Sequence, residues 1–262
     1  MRSQIRNSAM ARQNVDNGIS LIQTADAWLQ KINDMLSRMS ELAVNANDGT
    51  KTPKDIENIQ SEFSALQDEI VRITSHSSAA AKFNGLFLLR GGSGQPDPVN
   101  DTVKSGSITV QIGADGDQKI KLDLANLEVT DTTVIGTVHT YTYSTNNNVT
   151  SSTHTQVTWA SVIDKNSMSV TSSNAISKIT AAINYISNNR AKLGAQQARL
   201  EQTRSGLLAY EDNLRTAESK IRDIDIALES TEFTRGQILT QLGNAMLTQA
   251  NQLPQAALQL IR

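Results

Sequence analysis

Toward the C-terminus, eight aliphatic residues stand seven apart without a miss: Ile179, Ile186, Leu193, Leu200, Leu207, Leu214, Ile221 and Leu228. A heptad held this long excludes a strand, whose side chains alternate with period two, and it demands partners along its length. Helical from residue 174 to about 220, the segment would run roughly 70 Å at 1.5 Å per residue. The neighbouring row changes character along the same helix, from Ile176 and Ile183 to Arg190, Gln197, Arg204 and Glu211. One flank of the seam is therefore expected to be wet or polar-paired, and the bundle it joins to be slender.

The N-terminal part supplies candidate partners. Ile22, Ala25, Leu29, Ile32, Leu36, Met39, Ala43 and Ala46 follow in alternating steps of three and four, flanked by Leu21, Trp28, Met35 and Leu42. That stripe is wider than a two-stranded zipper uses and implies packing on more than one neighbour; Trp28 within it reads as packing rather than ligand stacking. Asn47-Asp48-Gly49 ends the helix. Thr52-Pro53-Lys54-Asp55 then offers a capping hydroxyl, a proline at the first helical position and an acid at the third. The second helix carries Ile56, Ile59, Phe63, Leu66, Ile70 and Ile73 on one stripe, and the short connection makes it the antiparallel neighbour of the first.

Between residues 91 and 173 the composition shifts to Thr, Ser, Asn, Val and Gly. Residues 107–112 and 119–124 alternate with period two, and Gly113-Ala114-Asp115-Gly116-Asp117 between them reads as a hairpin connection. The Thr-rich run 130–158, including His139-Thr140-Tyr141-Thr142-Tyr143, offers further strands with little apolar burial. A surface excursion is expected there rather than a core. After Phe233-Thr234-Arg235 no charge occurs before Arg262, while Ile238, Leu239, Leu242, Met246, Leu247, Leu253, Leu258, Leu260 and Ile261 alternate with Gln and Asn. An isolated surface helix carries charges. Amides bond laterally without the desolvation cost of ions, so this helix suits enclosure by other chains.

Composition removes most chemistry. The 262 residues include no Cys, which excludes disulfides and thiolate sites, and the three histidines, His76, His139 and His154, fall at no ligand spacing. A net charge of -2 gives no general attraction to nucleic acid or an anionic membrane, and no segment is apolar enough to span a bilayer. Met1-Arg2-Ser3-Gln4 leads into polar residues, so no cleaved leader is expected. Asp223 and Asp225, near Glu229 and Glu232, lack an EF-hand register and read as a polar hinge; Asp115 and Asp117 read as turn residues. Phosphate loop, nucleophile elbow and zinc-protease motifs are missing. No catalytic residue, metal site or cofactor is expected. The Ser/Thr-rich centre reads equally as a solvated strand surface or as an acceptor of O-linked sugar.

Several strings together resemble bacterial flagellin, the subunit of the flagellar filament. They are residues 12–20 with Gln23-Thr24-Ala25, Ser40-Glu41-Leu42-Ala43-Val44-Asn45-Ala46, Phe83-Asn84-Gly85-Leu86 with Leu88-Leu89, Leu193-Gly194-Ala195-Gln196-Gln197, residues 219–225, and residues 249–255. The likeness covers both ends and leaves the centre unmatched, as expected of a family whose centre varies. The resemblance implies about fifty further family residues ahead of the position matching Met1, with a partner helix and an export region, which this sequence is expected to lack.

The resemblance implies a mainly α fold, an elongated antiparallel helical bundle or coiled-coil-like rod with a small β-rich central insertion. Its divisions would be N-terminal core helices at 1–90, a variable β-rich surface region at 91–173, a long core helix at 174–222 and a terminal assembly helix at 223–262. It implies a structural subunit that polymerises for motility, located outside the cell. Its partners would be other flagellin subunits, a flagellin export chaperone, hook-associated proteins and a flagellin-sensing Toll-like receptor. Arg38, Leu42 and Glu62 match positions of assembly or receptor contact, with Leu42 read as an exposed leucine beside the arginine. Ser40 stands where receptor-recognised relatives carry a second arginine. Solvated helix charges and flank packing account for the same three residues. Ile238, Leu239, Leu242, Met246, Leu247, Leu253, Leu258 and Leu260 would pack in the filament core and against the chaperone, or on the alternative reading fold back on their own bundle. A flagellin-like junction protein between hook and filament, and a binding module recognised by a chaperone or host receptor, stay open beside the filament subunit.

Overall fold

The computed structural model describes residues 1–75, 79–90, 108–128, 134–143, 149–222 and 226–260, with backbone alone described at 139–143, 149–153, 226 and 251–260. Asp223 and Asp225, His76 and Ile261 lie outside the described residues. The fold is mainly α, with long helices and a small strand-rich region in the middle. The chain divides into two compact units, residues 3–211 and a second made of 1–2 and 212–262.

In the larger unit, α1 (Arg2–Ala46) buries every residue of the expected seam from Ile22 to Ala46, together with Val15, Ile19 and Leu21. The chain turns at Asp48, whose side chain accepts from the Thr50 N–H at 3.1 Å. Thr52 then caps α2 (Pro53–Thr74): its hydroxyl accepts from the Asp55 N–H at 3.2 Å while the Asp55 carboxylate accepts from the Thr52 N–H at 3.0 Å. The Thr52 hydroxyl also donates to the Asp55 carboxylate at 2.7 Å, and this bond first, then the one from the Thr52 N–H, holds the Asp55 carboxyl below its ordinary value. The two helices run antiparallel, because Arg38 near the end of α1 pairs with Glu62 early in α2 at 2.7 Å. Phe63, Ile70 and Ile73 are buried, with Ile56, Ile59 and Leu66 packed half-buried beside them.

Next comes a minimal hairpin of β1 (Lys82–Phe83) and β2 (Leu86–Phe87). Its two-residue turn is Asn84-Gly85, with φ of 47° and 81°. Positive φ at both central positions matches the right-handed twist of the strands, and Asn-Gly tolerates it where other residues clash. β3 (Ile108–Gln111) and β4 (Lys119–Leu122) pair antiparallel across the expected Gly113–Asp117 connection. This hairpin sits on α1, where Gly18 permits close approach: a β-carbon there would stand 3.3 Å from Leu200 and 3.5 Å from Val110. Ile120, Leu122 and Leu127 join the core.

β5 (Val134–Tyr143) and β6 (Val149–Thr158) form a third antiparallel pair. The expected surface excursion is corrected at its base. Val138 and Val157 are buried, and the chain continues through Trp159, α3 (Ala160–Ile163), Met168 and Val170, with Trp159, Val162, Ile163, Met168 and Val170 all core residues inside the region read as variable surface. Polar contacts from α2 fix this segment: the buried Gln67 side chain donates to the Val162 carbonyl at 3.1 Å, and Gln60 accepts from the Val170 N–H at 2.8 Å. Trp159 also faces Tyr185, with ring centroids 6.5 Å apart.

α4 (Ala175–Arg222) completes the unit with its residues up to Glu211, burying Ile179, Ala182, Ile186, Leu193 and Leu200. Its decayed second row is polar-paired, as expected. Arg190 bonds Asp26 at 2.7 Å and also Gln30, Arg204 reaches Asp16 at 3.5 Å, and Arg12 lies 3.7 Å from the buried Glu211. Partner numbers in α1 fall as those in α4 rise, so the two helices are antiparallel. The Asp26 hydrogen bond is the main reason the Arg190 guanidinium is held above its ordinary value.

In the second unit, Arg2 bonds Glu218 at 2.6 Å, and α5 (Ile226–Leu260) is one continuous helix. Among the described residues no helix is long and apolar enough to cross a membrane.

Candidate functional site

The heptad that buries Leu193 and Leu200 does not stop with its partners. Leu207 and Leu214 are half-buried, Ile221 is 74% exposed, and Leu228 opens an apolar surface that α5 continues. Along α5, Phe233, Ile238, Leu239, Leu242, Met246 and Leu247 are all exposed, from 51% at Ile238 to 70% at Met246. Leu239, Leu242 and Met246 follow in steps of three and four, which places them on one helical face, and Leu253 and Leu260 extend that register. For Leu253, Leu258 and Leu260 the backbone is helical. The polar residues between them are Gln, Asn and Thr, so nothing charged after Arg235 guards the face. A contiguous apolar surface of this kind marks a contact site.

The other candidate surface lies on α1 and α2. Arg38 donates to Glu62 at 2.8 Å and to Glu41 at 3.0 Å; all three are exposed, and the Glu62 bond is the leading cause of the raised guanidinium value. Beside them Ser37, Ser40, Glu41, Val44, Asn45 and Ile183 line a shallow groove with an exposed Val44. Leu42 is not part of this surface. It is 3% exposed and belongs to the core cluster, which corrects the reading of an exposed leucine beside Arg38. Position 42 lies four residues past Arg38, about 40° further round the helix, and the bundle is wide enough to cover it.

Val44 stands at heptad steps from Gln30 and Ser37, a polar row of α1, so its exposure follows from its register, and Ile183 is half-buried at the edge of the core where its own row turns polar. Leu228 does carry a signal, since it precedes the uncharged segment in the helical phase of Leu239 and Met246, whereas Phe233 falls on the opposite side of the helix. Among the described residues no group of three or more His, Asp or Glu side chains could hold a metal.

The family model described as bacterial flagellin N-terminal helical region matches residues 1–93, and the one described as bacterial flagellin C-terminal helical region matches residues 176–261. The chain is 36% identical over 266 residues to flagellin FlaB1 of Treponema pallidum, covering 100% of this chain and 82% of that protein. It is 38% identical over 270 residues to a flagellin of Bacillus subtilis, covering 100% and 83%. The crystal structure of Bacillus cereus flagellin is similar in fold, with a TM-score of 0.50 at 22% identity, over 74% of this chain and 88% of that one.

Proposed function

Because this chain belongs to the bacterial flagellin family, it is a structural subunit of the flagellar filament and not an enzyme, and we propose that α5 is the surface through which it assembles. Filament location places the working protein outside the cell. The observation that carries the reading is the exposed, charge-free apolar face of Leu239, Leu242 and Met246. Burying such a face against other subunits releases its hydration at about 25 cal/mol per Å² of apolar area. That gain is available only where a partner chain covers it. Placing charge on the face tests the reading, with loss of filaments as the expected result.

Before assembly the same face needs cover. An export chaperone with a hydrophobic groove would supply it, since an amphipathic helix in a groove is a common mode of peptide recognition. Hook-associated proteins are further candidates for the same face.

The Arg38–Glu62 surface is the second contact, toward neighbouring subunits or a flagellin-sensing Toll-like receptor. Arginine at an interface supplies several donors in a planar fork, and here Glu41 and Glu62 hold it ready on the outer side of the helices. The double variant R38A/E62A is expected to keep the thermal midpoint of the parent, because exposed pairs add little to stability. Its receptor signalling and its lateral filament contacts should weaken about tenfold. Unchanged signalling together with unchanged filament yield would remove this surface from the account.

A further inference from the structure

Two of the three histidines, on consecutive strands, are brought directly opposite each other by the fold. In the β5–β6 pair the register sets His139 directly opposite His154, flanked by Thr137 opposite Gln156 and Tyr141 opposite Ser152. Directly opposed residues on antiparallel strands share a face, with β-carbons about 4.5–5.5 Å apart. The other face carries Val138 and Val157, which are buried, whereas His154 is exposed. The histidine pair therefore occupies the face away from the core.

We propose that His139 and His154 form a two-histidine site for a divalent first-row transition metal that favours imidazole, the class of Ni²⁺, Cu²⁺ and Zn²⁺. Imidazole nitrogen suits these metals, and the remaining coordination positions stay with water. Neither strand contains Asp, Glu, Lys or Arg, so no fixed charge of the hairpin repels the ion or competes with the imidazoles for it. Holding both ligands on one scaffold turns the second coordination step into an intramolecular one, which raises affinity well above that of a single histidine.

Occupancy also has a structural effect. β5 and β6 pair with each other alone among the described strands, and an isolated two-stranded hairpin is marginal in water. A metal joining residue 139 to residue 154 ties the strands together beyond their anchor at Val138 and Val157. It stabilises the paired state by mass action in the metal concentration.

The test is calorimetric titration of the untagged full chain with Ni²⁺. The expected result is one site per chain, weakened about a hundredfold by H139N or by H154N and unaffected by H76N. Hairpin content is followed by circular dichroism for each variant. A further variant distinguishes geometry from folding: T137H/Q156H placed on the H139N/H154N background rebuilds an opposed pair two residues along the same face and should restore binding. Moving one imidazole to the other face, with H154Q/T155H, should not. The proposal is overturned if the single variants bind as the parent does, if H76N alone abolishes binding, or if the rebuilt pair fails with its hairpin intact.

Discussion

Replacing Leu239 and Leu242 with glutamate is expected to abolish filaments and swimming in the source bacterium while the unit of residues 3–211 keeps its unfolding midpoint. Both side chains are exposed in the single chain, at 61% and 56%, so the charges meet water there and the fold is untouched. The proposed assembly encloses the same positions in the filament, where each buried, unpaired carboxylate would cost several kcal/mol. At about 1.4 kcal/mol per factor of ten, two such residues raise the concentration needed for assembly by several orders of magnitude. Electron microscopy of sheared filaments and a swimming assay read the outcome. Capture by the proposed export chaperone should fall with the same variant. Normal filaments from L239E/L242E would mean that α5 is not the assembly face.

Trp159→Ala is expected to destabilise the whole larger unit by about 3–5 kcal/mol, the usual cost of removing a large buried aromatic side chain. Trp159 is 0% exposed, packs beside Tyr185, and is followed by Val162, Ile163, Met168 and Val170, which are also buried. For a unit of this size the change corresponds to a fall in unfolding temperature of roughly 10 °C. Cooperative loss of signal from both α1 and the β-hairpins is the expected form, since their side chains share one core cluster. A W159A chain that melts at the parent temperature would show the segment to be a peripheral appendage.

The long helices were legible because a heptad survives any local accident of composition. Ile22 to Ala46 and Ile179 to Leu200 are buried as their spacing requires, and the Thr52–Asp55 start signal forms the capping box it predicts. The polar decay of the α4 flank was equally readable, since Arg190, Arg204 and Glu211 could not sit in a seam without acidic or basic partners on α1.

What escaped the sequence lacks a period. Val157, Trp159, Val162, Ile163, Met168 and Val170 are short apolar pieces scattered through Ser and Thr, and the backbone of Val162 and Val170 is bonded by Gln67 and Gln60, two glutamines indistinguishable in sequence from solvated ones. The burial of Leu42 is invisible for another reason: the width of the covered face of α1 depends on how many elements pack there, which α1 alone does not specify. The His139–His154 pairing depends on strand register, which linear spacing does not reveal. The candidate assembly surface was the more legible site, because the absence of charge between Arg235 and Arg262 is visible without any fold.

The claim beneath this account is that the apolar face of α5 is bare in the free subunit and covered by other subunits in the filament. With no cysteine in the chain, Met246→Cys introduces a single thiol at a position 70% exposed. Its rate of labelling by a water-soluble maleimide, compared between free subunit and filament, measures that cover directly, with Gln156→Cys on the exposed side of β6 as the reference. Rapid labelling of both thiols is expected in the free chain and, in the filament, loss of reactivity at 246 alone. A thiol at 246 that reacts equally fast in the filament, or is already protected in the free chain, would contradict it.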